Sequence, residues 1–155
     1  LGIAESYPQA LLKAFKGANM KVPKRGGRVI ITVKDEDKGE AVSVARELNE
    51  LGIELFATKG TYDYLKKAGV EVKKVNRLGE AHPNLEDMIQ SGTVDMIVNT
   101  PRRRHREGGD GIKIRRMAVE HSILCITAID TAHAILTARE QGRSVDLTPI
   151  DITEI

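Results

Sequence analysis

At 155 residues the chain is the size of one ordinary domain, long enough to bury a core without disulfides or metals. Its 24 Lys and Arg against 22 Asp and Glu leave a net charge of only +2, so the molecule as a whole demands no polyanionic partner and any basic character has to be local. One Cys excludes a disulfide within the chain, and no apolar stretch approaches the ~20 residues that span a bilayer, so the reading is a soluble, cytoplasmic protein.

The chain opens at Leu1 rather than Met, as a processed chain or a piece of a longer one would. Ser6 with Gln9 three residues on has capping-box spacing, Pro8 sits early, and Leu11, Leu12 and Phe15 share one face before Gly17, which predicts a short leading helix. A basic connector containing Pro and Gly completes residues 1–27. Residues 29–33 are a β-branched run of the kind buried on both faces of a sheet, and residues 35–51 place Ala41, Val44, Ala45, Leu48 and Leu51 on one helical face before Gly52. The second unit is an apolar run at 53–56 and a helix over about 61–68 stopped by Gly69.

A third strand is expected at 70–75, followed by a polar loop at 76–83 in which His82 is the one histidine near a potential site. Asn84 with Asp87 caps a short helix carrying Leu85, Met88 and Ile89, stopped at Gly92. Residues 94–98 form a fourth strand running into Asn99, Thr100 and Pro101. Then comes a run of Arg102, Arg103, Arg104 and Arg106; residues 102–116 hold seven Lys and Arg against two acids. A helix with Ile114, Met117 and Ala118 inward and a fifth strand at 123–127 follow, the latter holding Cys125 as a buried inert thiol. The last helix is capped at Asp130, buries Ala134, Ile135 and Ala138, and stops at Gly142, leaving residues 143–155 as a tail.

Five strand-helix units with short connections predict a doubly wound α/β fold, a five-stranded parallel sheet flanked by helices, over residues 28–142. In such a sheet the turns at the strands' carboxyl ends line the ligand crevice. The turn at Thr58, Lys59, Gly60 and Thr61 joins two hydroxyls, an ammonium group and a close-approach glycine to the free N–H groups of a helix start, which suits a phosphate; the plainer alternative is that the two threonines only cap the helix. Lys38, Asn99 and Thr100 converge from the turns after strands one and four, and Arg77 arrives from the loop after strand three. Donors outnumber acceptors in that set, as a phosphorylated ligand requires.

No GxSxG elbow, HExxH or Walker-type loop is present, and no histidine pair has metal-ligand spacing, so neither a catalytic residue nor a metal is assigned. The arginine run lacks interleaved aromatics, which argues against nucleic acid and for a solvated basic loop or an anion-facing lid.

Residues 30–38, 52–61, 74–76, 99–101 and 114–116 together resemble the methylglyoxal-synthase-like domain family, and within it the allosteric domain at the C-terminal end of the carbamoyl-phosphate synthetase large chain. The similarity runs to about Arg139. It implies a non-catalytic regulatory domain, with no cofactor of its own, that binds a nucleotide monophosphate, UMP as inhibitor or IMP as activator. Phosphate contacts would fall on Lys38, Thr58, Thr61 and Asn99, and a second effector contact on Thr127. The implied partners are the rest of that large chain and its glutaminase small chain, with roles in pyrimidine and arginine biosynthesis. Two departures bear on ligand choice: Arg77 stands where relatives carry a lysine, and Pro101 where they carry a hydroxyl. The lyase branch, which eliminates phosphate from dihydroxyacetone phosphate, is the alternative. Its catalytic loop is replaced here by Gly79, Glu80, Ala81, His82, Pro83 and Asn84, with Glu80 the nearest carboxylate.

Overall fold

The computed structural model describes residues 2–4, 6–101 and 109–141. The arginine run at 102–106, the stop at Gly142 and the tail at 143–155 lie outside the described residues. Helix α1 (Tyr7–Gly17) precedes an alternating series: β1 (Arg28–Thr32), α2 (Lys38–Glu50), β2 (Glu54–Ala57), α3 (Lys59–Lys67), β3 (Lys73–Lys74), α4 (Leu85–Gln90), β4 (Met96–Asn99), α5 (Asp110–Glu120), β5 (Leu124–Ile126) and α6 (Ile129–Gln141). The five strands form one parallel sheet in the order β3-β2-β1-β4-β5, as the alternation predicts. No helix among the described residues is long and apolar enough to cross a membrane.

The strand period of two sorts β1 and β4 between two cores. Val29, Ile31, Met96 and Val98 pack with Val44, Leu48, Leu65 and Ile135 beneath α2, α3 and α6, while Ile30 and Ile97 pack with Leu85, Ile89 and Ile114 beneath α4 and α5. Both faces are therefore covered, which is why the central strands carry no polar alternation. Gly52 and Gly69, at φ of 71° and 78°, end α2 and α3 in the left-handed region that side chains avoid.

Several local expectations change. Ser6 occupies the cap position of α1 without making a side-chain cap bond. Residues 35–51 do not form one helix: Asp35–Asp37 is a single 3₁₀ turn and α2 begins at Lys38. Ion pairs Lys34–Asp37 at 3.3 Å and Lys38–Asp35 at 2.7 Å span three residues each, a spacing that the 3₁₀ geometry eclipses. The third strand pairs only at Lys73 and Lys74, an abbreviated edge, although Val70, Val72 and Val75 are buried. Asp130 lies inside the first turn of α6 rather than at its cap, and Ala134 is half-buried, the inward positions being Ala132, Ile135, Leu136 and Ala138.

The Asn84 cap is realised in full. Its Oδ1 accepts from the N–H groups of Glu86 and Asp87, and Asp87 Oδ2 accepts from Asn84 N–H at 2.8 Å and contacts His82 Nδ1 at 2.7 Å. The Asn84 N–H, and next the His82 ring, hold the Asp87 carboxyl below its ordinary range. A carboxyl lowered by folding contributes stability that is complete above its unfolded value and is lost as pH falls through the folded one. Acid unfolding followed by circular dichroism is therefore expected to lose a component below the ordinary Asp range that Asp87→Asn removes; the same acid limb in that variant would place the box elsewhere.

Candidate anion-binding site

The register brings Thr32 of β1 level with Asn99 of β4, and Ala57 of β2 level with Ile31, so the turns after these three adjacent strands open together. Strand order reverses here, β1 lying between β2 and β4, and this is where ligands enter open parallel sheets. The resulting cavity encloses about 580 Å³. Lys38, Thr58, Lys59, Gly60 and Thr61 line it from α2 and α3, Asn99 and Thr100 from the end of β4, and Arg77 from the loop after β3. All eight residues expected to hold phosphate thus meet in one place. Thr127 does not join them; it is exposed and lines an adjoining cleft of about 230 Å³ that shares Lys34, Thr100 and Pro101 with the main cavity.

Neither threonine of the Thr58 turn caps its helix. Thr58 stands at the cap position of α3, yet its hydroxyl pairs with that of Thr32 at 3.1 Å. Thr61 is 2% exposed and its Oγ1 accepts the Val33 N–H at 3.2 Å. No acid occupies the first turn of α3, and ahead of the Tyr62 N–H, which reaches the Thr58 carbonyl at 2.8 Å, the N–H groups of Lys59, Gly60 and Thr61 have no acceptor among the described residues. Lys38 projects over this helix start, its side chain 15% exposed; a Cβ on Gly60 would lie 3.4 Å from its Nζ, so glycine leaves the approach to the ammonium open. Lys59 is exposed and has no ion-pair partner among the described residues.

Three acceptors on the cavity floor are each covered by a protein donor. Thr61 Oγ1 takes the Val33 N–H, Thr100 Oγ1 takes the Lys34 N–H at 3.0 Å, and Asn99 Oδ1 takes Arg115 Nη1 at 2.8 Å. A hydroxyl whose lone pair is engaged keeps its proton for a further acceptor, so these three side chains present donors to the cavity. Such a surface binds an oxyanion through charge-assisted hydrogen bonds.

Five further charged residues of the lining were not among those assigned to phosphate. Asp63, Glu80 and Asp110 also line the cavity, so carboxylates are less scarce there than the donor excess implied. Two of them engage Arg77: Asp110 Oδ2 accepts its Nε at 3.0 Å and its Nη2 at 2.5 Å, and Glu80 Oε2 accepts its backbone N–H at 2.8 Å. Lys34 and Arg115 are the further cations. The Asp110–Gly111 start of a helix following a strand was the available signal, since it places Arg115 one turn on, over the sheet edge. His82 is not among the lining residues; its ring is turned to Asp87. Cys125, half-buried on β5, has its thiol pushed up by burial, against a smaller opposing effect of Arg115.

The family model of the MGS-like domain matches residues 40–127. The chain is 41% identical over 155 residues to the carbamoyl phosphate synthase large chain of Lachnoclostridium phytofermentans, covering all of this chain and 14% of that one, and 42% identical over 136 residues to that of Clostridium botulinum, covering 88% of this chain and 13% of that one. It therefore spans about one seventh of the length of these curated relatives. Among solved structures it resembles methylglyoxal synthase from Elizabethkingia anophelis with a TM-score of 0.60 at 24% identity, over 75% of this chain and 80% of the other, a likeness of fold. The five-stranded parallel sheet, the family model covering more than half of the residues and the relatives matched along most or all of the length agree: the chain belongs to the MGS-like domain family.

Proposed function

We propose that this chain is a regulatory domain of a carbamoyl phosphate synthase large chain that binds a nucleotide monophosphate, UMP or IMP, through its phosphate. The observation that carries the reading is the donor floor: Thr61, Thr100 and Asn99 with their acceptor atoms covered, beside the Lys38 ammonium and the open start of α3. A dianionic phosphate satisfies unpaired N–H groups, hydroxyl protons and ammonium at once, and it needs no acceptor from the protein. A volume of about 580 Å³ leaves room beyond the phosphate for a sugar and base.

The remainder of the large chain and the glutaminase small chain are the partners in this reading, and the setting is cytoplasmic pyrimidine and arginine biosynthesis. Effector occupancy regulates only if it interacts differently with two states of the synthetase body. The lyase alternative is disfavoured by Glu80, whose carboxylate is engaged by the Arg77 N–H and has no second carboxylate partner in the loop.

The test is calorimetric titration of the 155-residue chain with UMP, then IMP, then dihydroxyacetone phosphate, with inorganic phosphate release measured in the third case. Saturable binding of either nucleotide without phosphate release from the triose is the expected result. Release of phosphate would replace the regulatory reading with the lyase, and silence toward both nucleotides would remove it.

A further inference from the structure

Asn99 ends β4 and is 4% exposed, and a buried carboxamide beside an anion site is two-faced: its NH2 attracts the ligand while its oxygen repels it. Its neighbours decide which end the cavity meets. The Thr32 carbonyl can only accept, and it takes one Asn99 Nδ2 proton at 3.3 Å. A guanidinium can only donate, and Arg115 Nη1 covers the Asn99 Oδ1 at 2.8 Å. With both ends engaged, the amide is held in one orientation and keeps a second N–H for a ligand.

We infer that Arg115 is a positioning residue of this site, acting through Asn99: it covers the carboxamide oxygen, which would oppose an anion, and so makes the Asn99 amide a pure donor. The inference rests on the reading of the cavity as a phosphate site. An independent feature supports it. Gly111 precedes Arg115 by one turn on the same face of α5, and a Cβ added there would lie 3.3 Å from Arg115 Nη1 and 3.3 Å from Asn99 Oδ1. The first turn of α5 thus lies directly on the Arg115–Asn99 hydrogen bond, and a glycine gives the guanidinium the room to reach back beneath its own helix, the direction helical side chains favour.

A strut between α5 and β4 would produce the same contact, so the test separates affinity from stability and indirect from direct action. UMP and inorganic phosphate are titrated into the wild-type chain, Arg115→Met, Asn99→Ala and the double variant, with thermal unfolding measured on each. Arg115→Met is expected to weaken binding about tenfold, the scale of one hydrogen bond to a charged group. In the Asn99→Ala background the same change should cost little, because Arg115 has lost the group it acts through. Gly111→Ala supplies the second signature: alanine in place of a helical glycine favours the helix, so unfolding temperature should hold or rise while affinity falls.

A loss of equal size in both backgrounds means that Arg115 touches the anion itself and overturns the inference. So does undiminished binding by Arg115→Met, and so does affinity that merely tracks unfolding temperature across the variants. Silence of the wild-type chain toward both probes is a different result: it removes the phosphate reading, and the inference with it.

Discussion

Lys38→Ala is expected to lower affinity for UMP by about 10- to 100-fold, the range for removing a charged hydrogen-bond donor from a partly desolvated site. Its ammonium is the cation set over the open start of α3, with a side chain 15% exposed, so little solvent screens it from an anion bound there. The folded state should barely notice the change. Lys38 opens α2 rather than entering either core, and its ion-pair partner, Asp35, is 76% exposed, a setting in which an ion pair contributes about 0–1 kcal/mol. Calorimetry paired with urea unfolding reads both quantities. Affinity unchanged at unchanged stability would move the anion away from this turn. Thr61 is a less clean probe: at 2% exposed it holds the Val33 N–H, so Thr61→Ala strips a buried donor of its partner and costs stability as well as affinity.

Ile31→Ala addresses the scaffold beneath the site. Ile31 is fully buried in the central strand, paired to β2 through Ala57 and to β4 through Val98, and it belongs to the larger core. Truncation there removes three buried carbons and leaves a cavity that a central strand cannot close by shifting, so a loss of about 2–5 kcal/mol is expected. That is a large share of the total for a domain of this size, roughly 5–15 kcal/mol. The urea midpoint should fall with no change in slope, whereas Val119→Ala, at a position 77% exposed, should move it by no more than about 0.5 kcal/mol. Comparable losses from the two would contradict the assignment of the core. Because Ile31 adjoins Thr32, the pairing partner of Thr58, the truncated protein should also bind anions less well in proportion to its unfolded fraction.

The sequence by itself determined the architecture and the grouping of the residues expected to contact a phosphate. β-branched runs alternating with amphipathic segments and glycine stops admit few solutions besides a parallel sheet covered on both faces, and right-handed connections leave little freedom in how it is wound. Once those strands are parallel, the residues after each one must emerge on the same edge, so Lys38, Thr58, Lys59, Gly60, Thr61, Asn99 and Thr100 could be grouped from their places in the chain. What only the tertiary structure decided is how atoms from distant segments divide their hydrogen bonds. The Thr61 hydroxyl is held by Val33, 28 residues earlier, and Thr100 by Lys34, 66 residues earlier. Arg77 meets Asp110 across 33 residues, and Arg115 turns back onto Asn99. Thr127, one residue past β5, faces a different cleft from the one its neighbours in the sheet share. Periodicity and capping are local energies that a window of residues expresses, whereas the direction of a hydroxyl or amide depends on which donor the folded chain brings within about 3 Å of it, and that partner belongs to another element.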